Sequence, residues 1–157
     1  MNGVDEKHFS PNTYMTRAMV VNALYNIEGR PDVKFSSKFP DVKDGLWYSD
    51  AIIWANNANI ISGYNTGKFG PDNTITREDF CVILRNYISY KGIDVSKQTS
   101  ISSFKDDQNV TGYAKSAVKW AVASKILTGS NNSLLPTAKT TRAQACKMIW
   151  MTYGLIQ

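Results

Sequence analysis

A threefold repeat of the dipeptide Thr-Arg constrains this chain more than any other feature. The three pairs are Thr16-Arg17, Thr76-Arg77 and Thr141-Arg142, separated by 60 and then 65 residues. An apolar residue stands seven positions before each threonine and a proline five positions before it: Phe9, Phe69 and Leu134, then Pro11, Pro71 and Pro136. A repeat of this length indicates copies of one small unit that pack together.

A second segment repeats upstream of the last two Thr-Arg pairs. FPDVKDGLWYSDAIIWANNANIISGY at 39–64 parallels FKDDQNVTGYAKSAVKWAVASKILTGS at 104–130. The first pair has no such segment before it. We therefore expect two full units and the C-terminal half of a preceding one, with linkers near 30–38 and 91–103. The expected ranges are 1–30, 39–92 and 104–157.

Caps and periodicity predict a helix after each Thr-Arg pair. Threonine is a favourable N-cap, and apolar residues follow at helical spacing for roughly 12 to 15 residues. Gly29, Gly92 and Gly154 are the expected ends of these helices. Gln144 can complete a capping box in the last helix, and Asp79 is a poorer candidate in the middle one. Shorter helices are expected within 51–57 and 114–124, so the fold class is all-α.

A helix pair of this size cannot bury its apolar face alone, so the units must pack against one another. Closure around a pseudo-threefold axis is one solution, and an open solenoid is the other. The expected half unit leaves a gap in either arrangement.

FPDVKDGLWYSDAIIWANNANIISGYNTGKFGPDNTITREDF resembles an S-layer homology (SLH) domain. The Phe-x-Asp-Val opening, Trp-Ala helix, Gly-Tyr turn, Phe-x-Pro and Thr-Arg helix start match in register. The resemblance implies an all-α pseudo-trimer that holds an exported bacterial protein at the cell wall or S-layer. The implied partner is an anionic secondary cell-wall polymer, often pyruvylated, bound in grooves between units near the Thr-Arg pairs. The third copy departs most from the pattern, with Leu134, Ser130 and Asp107, so its groove is expected to be the weakest.

Arg17, Arg77 and Arg142 are the leading candidates for ligand binding. One interpretation is an arginine that faces solvent or pairs with a carboxylate. The other starts from electrostatics, because an arginine beside the positive end of a helix is unfavourable unless an anion is bound. Helix N-terminal amides and a forked guanidinium together suit a carboxylate. With the resemblance, we favour binding.

Further residues complete the candidate glycan site, each with a structural alternative. Tryptophan and tyrosine offer flat faces to sugars but equally fill cores. The two aspartates can cap or pair, and the two glycines can be left-handed residues that end a helix. The candidates are Asp41, Trp47, Gly63, Tyr64, Asp106 and Gly129.

Composition limits the other function classes. The net charge of +5 and pI of about 9.2 suit an anionic partner, and nucleic-acid binding would rest on this charge alone. No apolar run is long enough to span a bilayer. The single His8 has no repeated counterpart and no paired nucleophile is evident, so we expect no catalysis and no cofactor. Asp41, Asp44 and Gly45 lack the rest of a calcium loop, so no metal is expected.

The two cysteines are Cys81 and Cys146, at equivalent positions of their helices. Val21 takes this position in the first helix, so small buried side chains are expected there, with a disulfide or a reactive thiol as the alternative.

A protein–protein module is the alternative function. The gap left by the half unit would expose apolar surface, which favours self-association of chains within a surface array.

Overall fold

The computed structural model describes residues 10–157, so the expectations for His8 and Phe9 lie outside the described residues. The described part is helical and contains isolated β-bridges but no strand, which confirms the all-α prediction. Its helices are α1 (Arg17–Ile27), α2 (Ser49–Asn57), α3 (Arg77–Tyr90), α4 (Lys115–Ala123) and α5 (Arg142–Tyr153), with 3₁₀ turns at Asp107–Asn109 and Gly112–Ala114. None of the helices in this part of the chain is long and apolar enough to cross a membrane.

The three threonines cap α1, α3 and α5 as predicted. Each hydroxyl oxygen accepts a hydrogen bond from the backbone N–H three residues on, in Met19, Asp79 and Gln144. Such a cap contributes about 1 kcal/mol to helix stability. A complete capping box is present in α5, as predicted, because the side-chain oxygen of Gln144 also accepts a hydrogen bond from the backbone N–H of Thr141. The carboxylate of Asp79 instead accepts a hydrogen bond from Tyr113.

Each short helix packs against the long helix of the preceding unit. α2 lies on α1 and α4 lies on α3. Trp54, Phe69, Phe80 and Trp120 belong to one core cluster that extends through all three units. The units are therefore interdependent, as a helix pair too small to fold alone requires.

Three backbone hydrogen bonds form a closed ring that links the three units. The N–H of Met15 donates to the carbonyl of Thr140 (2.9 Å), Ile75 donates to Met15 (2.9 Å), and Thr140 donates to Ile75 (3.0 Å). All three residues are buried. Mutual bonding of all three units favours a closed packing over an open solenoid. The full pseudo-threefold trimer remains a prediction, because the first unit is described only from residue 10.

The prediction that Gly63 and Gly129 end the two short helices is wrong. The residues with positive φ just after α2 and α4 are Asn59 and Lys125. Gly129 has a φ of +71°, but Gly63 is not left-handed. Both lie in the following turn. A Cβ on Gly63 would lie 2.7 Å from Cε1 of Phe39, so this position requires close approach rather than unusual dihedrals.

The two cysteines differ in burial. Cys81 is fully buried, like Val21 in the first helix, and burial raises the pKa of its thiol to about 12. Cys146 is partly buried beside a surface cavity. The prediction of a buried small side chain is confirmed for the first and wrong for the second.

Candidate functional site

Arg17 begins α1 and its side chain reaches into the next unit. Its Nε donates to the carbonyl of Phe69 (2.9 Å) and its Nη2 to the carbonyl of Ser62 (3.0 Å). The guanidinium carbon also lies 4.6 Å from the ring centre of Tyr64 and 4.7 Å from that of Phe69. The side chain is 7% exposed, so the solvent-facing interpretation is wrong. Backbone carbonyls and aromatic faces hold this cation in a fixed orientation.

A cavity of about 510 Å³ opens beside this arginine, which we call the Arg17 groove. It lies between units: Arg17 comes from the first, Gly63, Tyr64 and Asp79 from the second, and Tyr113 from the third. The hydroxyl of Tyr113 donates to the carboxylate of Asp79 at 2.5 Å. Burial, followed by this bond, raises the pKa of Tyr113. The groove thus combines one cation, one anion and two aromatic rings.

The same construction recurs one unit further along. Arg77 begins α3, is 9% exposed, and donates from Nε to the carbonyl of Leu134 (2.9 Å). It lines a cavity of about 240 Å³, the Arg77 groove, with Gly129, Gln144 and Lys147. Burial lowers the pKa of the Arg77 guanidinium, which Asp106 partly offsets by its negative charge. Arginine remains charged despite this shift, so each groove presents a cation.

Arg142 occupies the equivalent place at the start of α5. It is 5% exposed, and its backbone N–H donates to the carbonyl of Thr13 (2.8 Å). The residues that align with 60–65 include Gly3 and lie outside the described residues. The binding role of Arg142 stays a prediction.

The helix N-terminal amides do not serve an anion, contrary to expectation. In every repeat the first two helical N–H groups donate to carbonyls of the neighbouring unit. The pairs are Arg17 to Asn73, Ala18 to Pro71, Arg77 to Ala138, Glu78 to Pro136, Arg142 to Thr13 and Ala143 to Pro11. The next amide donates to the capping threonine. Side chains must therefore supply the charge in these grooves.

Asp41 and Asp106 brace the turns that form the grooves. The two carboxylate oxygens of Asp41 accept from the backbone N–H groups of Phe69 (2.9 Å) and Gly70 (2.8 Å). Asp106 accepts in the same way from Leu134 and Leu135, both at 2.8 Å. Burial opposes ionisation of these carboxyls, but the backbone bonds prevail and lower the pKa of each. Direct contact with glycan stays a prediction for both.

Trp47 lies apart from Gly63 and Tyr64, with which the sequence groups it as a candidate for the glycan site. Its 55% exposed ring lines a cavity of about 840 Å³ between α1 and α5, with Arg30 and Trp150. Trp47 in the second unit and Tyr113 in the third unit occupy equivalent positions of the repeat. Each ring lies beside the long helix of the preceding unit, Trp47 beside α1 and Tyr113 beside α3. A sugar-binding role for Trp47 therefore concerns a different cavity from that of Tyr64.

The groove residues that were not among the predicted site residues include Asp79, Tyr113 and Lys147. The repeat held a signal for Tyr113, because it aligns with Trp47. No such signal marked the other two, because their positions along the long helices differ in chemistry from copy to copy. Among the described residues, no cluster of three His, Cys, Asp or Glu side chains is arranged to hold a metal ion.

Known proteins resemble this chain over all or most of its length. It is 32% identical to an amylopullulanase of Thermoanaerobacterium thermosulfurigenes over 100% of the chain and 8% of that protein. It is 30% identical to the surface-layer 125 kDa protein of Lysinibacillus sphaericus over 86% of the chain and 11% of that protein. It is 27% identical to a cellulosome-anchoring protein of Acetivibrio thermocellus over 90% of the chain and 32% of that protein. The model of the S-layer homology domain matches residues 38–81 and 103–146, more than half of the chain, which therefore belongs to the S-layer homology domain family.

Proposed function

We propose that this chain anchors a protein at the bacterial cell surface by binding an anionic secondary cell-wall polymer, with pyruvylated sugars as the expected acidic groups. The observation that carries the proposal is the recurrence of an oriented, buried arginine in two grooves between units. A guanidinium held at fixed geometry is suited to a carboxylate, and the net charge of +5 favours approach to an anionic polymer.

The relatives support a role at the cell surface. Two are named as a surface-layer protein and a cellulosome-anchoring protein. The amylopullulanase is matched over only 8% of its length. A domain shared by proteins with such different names is more simply an anchor than a catalyst, and the chain itself is proposed to have no enzymatic activity.

The test is a pull-down with cell-wall sacculi before and after chemical removal of the secondary polymer. Arg77→Ala and Arg77→Lys are assayed beside the wild type, with circular dichroism to show that they remain folded. The lysine variant keeps the charge but loses the fork that binds two oxygens. We expect binding to disappear with the polymer and to weaken in both variants. Equal binding to stripped sacculi would contradict the proposal.

A second candidate function, self-association, is favoured by the outer face of α5. α1 and α3 are covered by α2 and α4, but no described helix packs on α5 in this way. Trp150 is 74% exposed and lines the α1–α5 cavity with Ile149 and Tyr153. We propose a second copy of this chain as the occupant, because burying a matched apolar face twice favours a symmetric dimer.

Light scattering over a range of concentrations tests this second candidate. We expect a dimer that Trp150→Glu converts to a monomer of unchanged helix content. A monomer at every concentration would contradict self-association and leave the polymer proposal standing.

A further inference from the structure

The two described grooves differ in charge although they are built alike. The Arg17 groove is lined by one cation, Arg17, and one carboxylate, Asp79. The Arg77 groove has Gln144 in the place of that carboxylate, and Lys147 in the place of Val82. Two cations and no carboxylate therefore line the Arg77 groove among the described residues.

The two arginines also differ in how many of their side-chain N–H groups donate to the described protein. Arg17 donates from Nε and Nη2 to Phe69 and Ser62, and lies against two aromatic rings. Arg77 donates from Nε alone to the described residues. A guanidinium carries five N–H donors, so Arg77 keeps both terminal nitrogens for a ligand.

Nearby carboxylates do not cancel this difference. Asp106 attracts Arg77 electrostatically and keeps its negative charge, because both of its oxygens accept backbone N–H groups. Asp41 makes the same two bonds in the second unit, so this carboxylate is common to both copies and does not distinguish the two grooves. Lys147 is exposed on α5, so its ammonium can turn toward a bound anion.

We infer that the grooves are specialised: the Arg77 groove, with Lys147 as a specificity-determining residue, binds the carboxylate of the wall glycan, and the Arg17 groove binds uncharged sugar. Asp79, fixed by Tyr113, repels a carboxylate in the Arg17 groove and accepts hydrogen bonds from sugar hydroxyls. Tyr64 supplies an aromatic face there, where the Arg77 groove has Ser130. This inference rests on the proposed function. It also reverses the expectation that the third copy forms the weakest groove, since that copy supplies Lys147.

A cycle that changes both protein and polymer tests the assignment. The probes are purified secondary wall polymer and the same polymer with its carboxylates converted to neutral amides by carbodiimide coupling. Wild type, Lys147→Gln and the matched control Lys115→Gln are titrated with both by calorimetry. Lys115 is an exposed lysine at the start of α4 and lines neither groove.

We expect amidation to weaken binding to the wild type and to Lys115→Gln by about tenfold or more, the loss of one charge-assisted contact. Lys147→Gln should bind the native polymer about tenfold more weakly and lose clearly less further affinity on amidation than the wild type, because only Arg77 is left to contact the carboxylate. If Lys147→Gln remains as sensitive to amidation as the wild type, the assignment is wrong while the proposed function stands. If the wild type ignores native polymer, the proposed function fails and the assignment fails with it.

A double variant in the Arg17 groove tests the same assignment in the opposite direction. Asp79→Gln with Val82→Lys gives the Arg17 groove the side chains of the Arg77 groove. We expect a second carboxylate-sensitive site to appear in the calorimetric stoichiometry. An unchanged stoichiometry in a folded double variant would overturn the role given to these two positions.

Discussion

The hydroxyl of Tyr113 donates a hydrogen bond of 2.5 Å to the carboxylate of Asp79 and so joins the third unit to the long helix of the second. Tyr87 forms a similar bond of 2.6 Å to Glu28, from the second unit to the first. Burial and these bonds raise the pKa of both phenols above the ordinary value of 10.0. Each bond exists only while its tyrosine is protonated.

Alkaline pH should therefore loosen the contacts between units. A raised pKa in the folded state contributes stability that is complete below about pH 10 and is lost as the pH rises through the folded value. We expect the free energy of unfolding in urea to be level from about pH 7 to 9 and to fall above about pH 10.

The double variant Tyr87→Phe, Tyr113→Phe should show a weaker alkaline decline. At neutral pH it should lose about 1.5 to 3 kcal/mol per bond at most, less for the exposed Tyr113. Tyr14→Phe, on a ring that is 48% exposed, is the control. An alkaline decline as steep in the double variant as in the wild type would contradict this explanation.

Acid should weaken the braced turns. The pKa values of Asp41 and Asp106 are lowered below the ordinary 3.8. A lowered pKa contributes stability that is present above the unfolded value and is lost as the pH falls through the folded one. Asp41→Asn with Asp106→Asn should flatten the dependence of unfolding free energy on pH between about pH 4 and 2. A slope equal to that of the wild type would show that other carboxyls control acid unfolding.

Thr140, in the central ring of hydrogen bonds, is 0% exposed, and its hydroxyl has no hydrogen-bond partner in the described structure. Burying an unpaired hydroxyl costs about 1 to 3 kcal/mol. Thr140→Val keeps the shape and should raise the free energy of unfolding by about 1 kcal/mol. The adjacent Thr141→Val removes a cap and should lower it by about 1 kcal/mol. Thermal melts that rank the two variants in the opposite order would refute this view of the ring.

Gly63 is required by close packing in the turn of the Arg17 groove. A Cβ there would lie 2.7 Å from the ring of Phe39 and 2.8 Å from the carbonyl oxygen of Lys68. Gly63→Ala should destabilise the chain by about 1 to 3 kcal/mol and distort the groove. Gly112→Ala, where a Cβ meets nothing within 4 Å, should be close to neutral. Equal effects in a urea titration would argue against the packing requirement.

The helices were predictable because their signals are local. A threonine cap and apolar residues at helical spacing lie within a few positions of each other, so α1, α3 and α5 begin where expected. The repeat also located the arginines and the turns that they meet. What it could not show is how the first helical amides are used, because their acceptors, such as Asn73 for Arg17, lie in another unit.

The grooves were harder to predict for the same reason. Tyr113 and Asp79 are distant in sequence and meet only because α4 packs on α3. The role proposed for Lys147 follows from a comparison with Val82 at the equivalent position, and that comparison requires knowing that both positions line a groove. Trp47 and Tyr64 belong to one unit of the repeat but line different cavities, because each groove is assembled from neighbouring units.

The most direct test of the central claim is to map the bound polymer on the isotope-labelled protein by nuclear magnetic resonance. We predict that a wall-polymer fragment shifts the arginine Nε–H signals of Arg17 and Arg77 and the backbone amides of the turns at 60–65 and 126–130. Shifts confined to the face of α5 around Trp150, with the arginine signals unchanged, would contradict binding in the grooves between units.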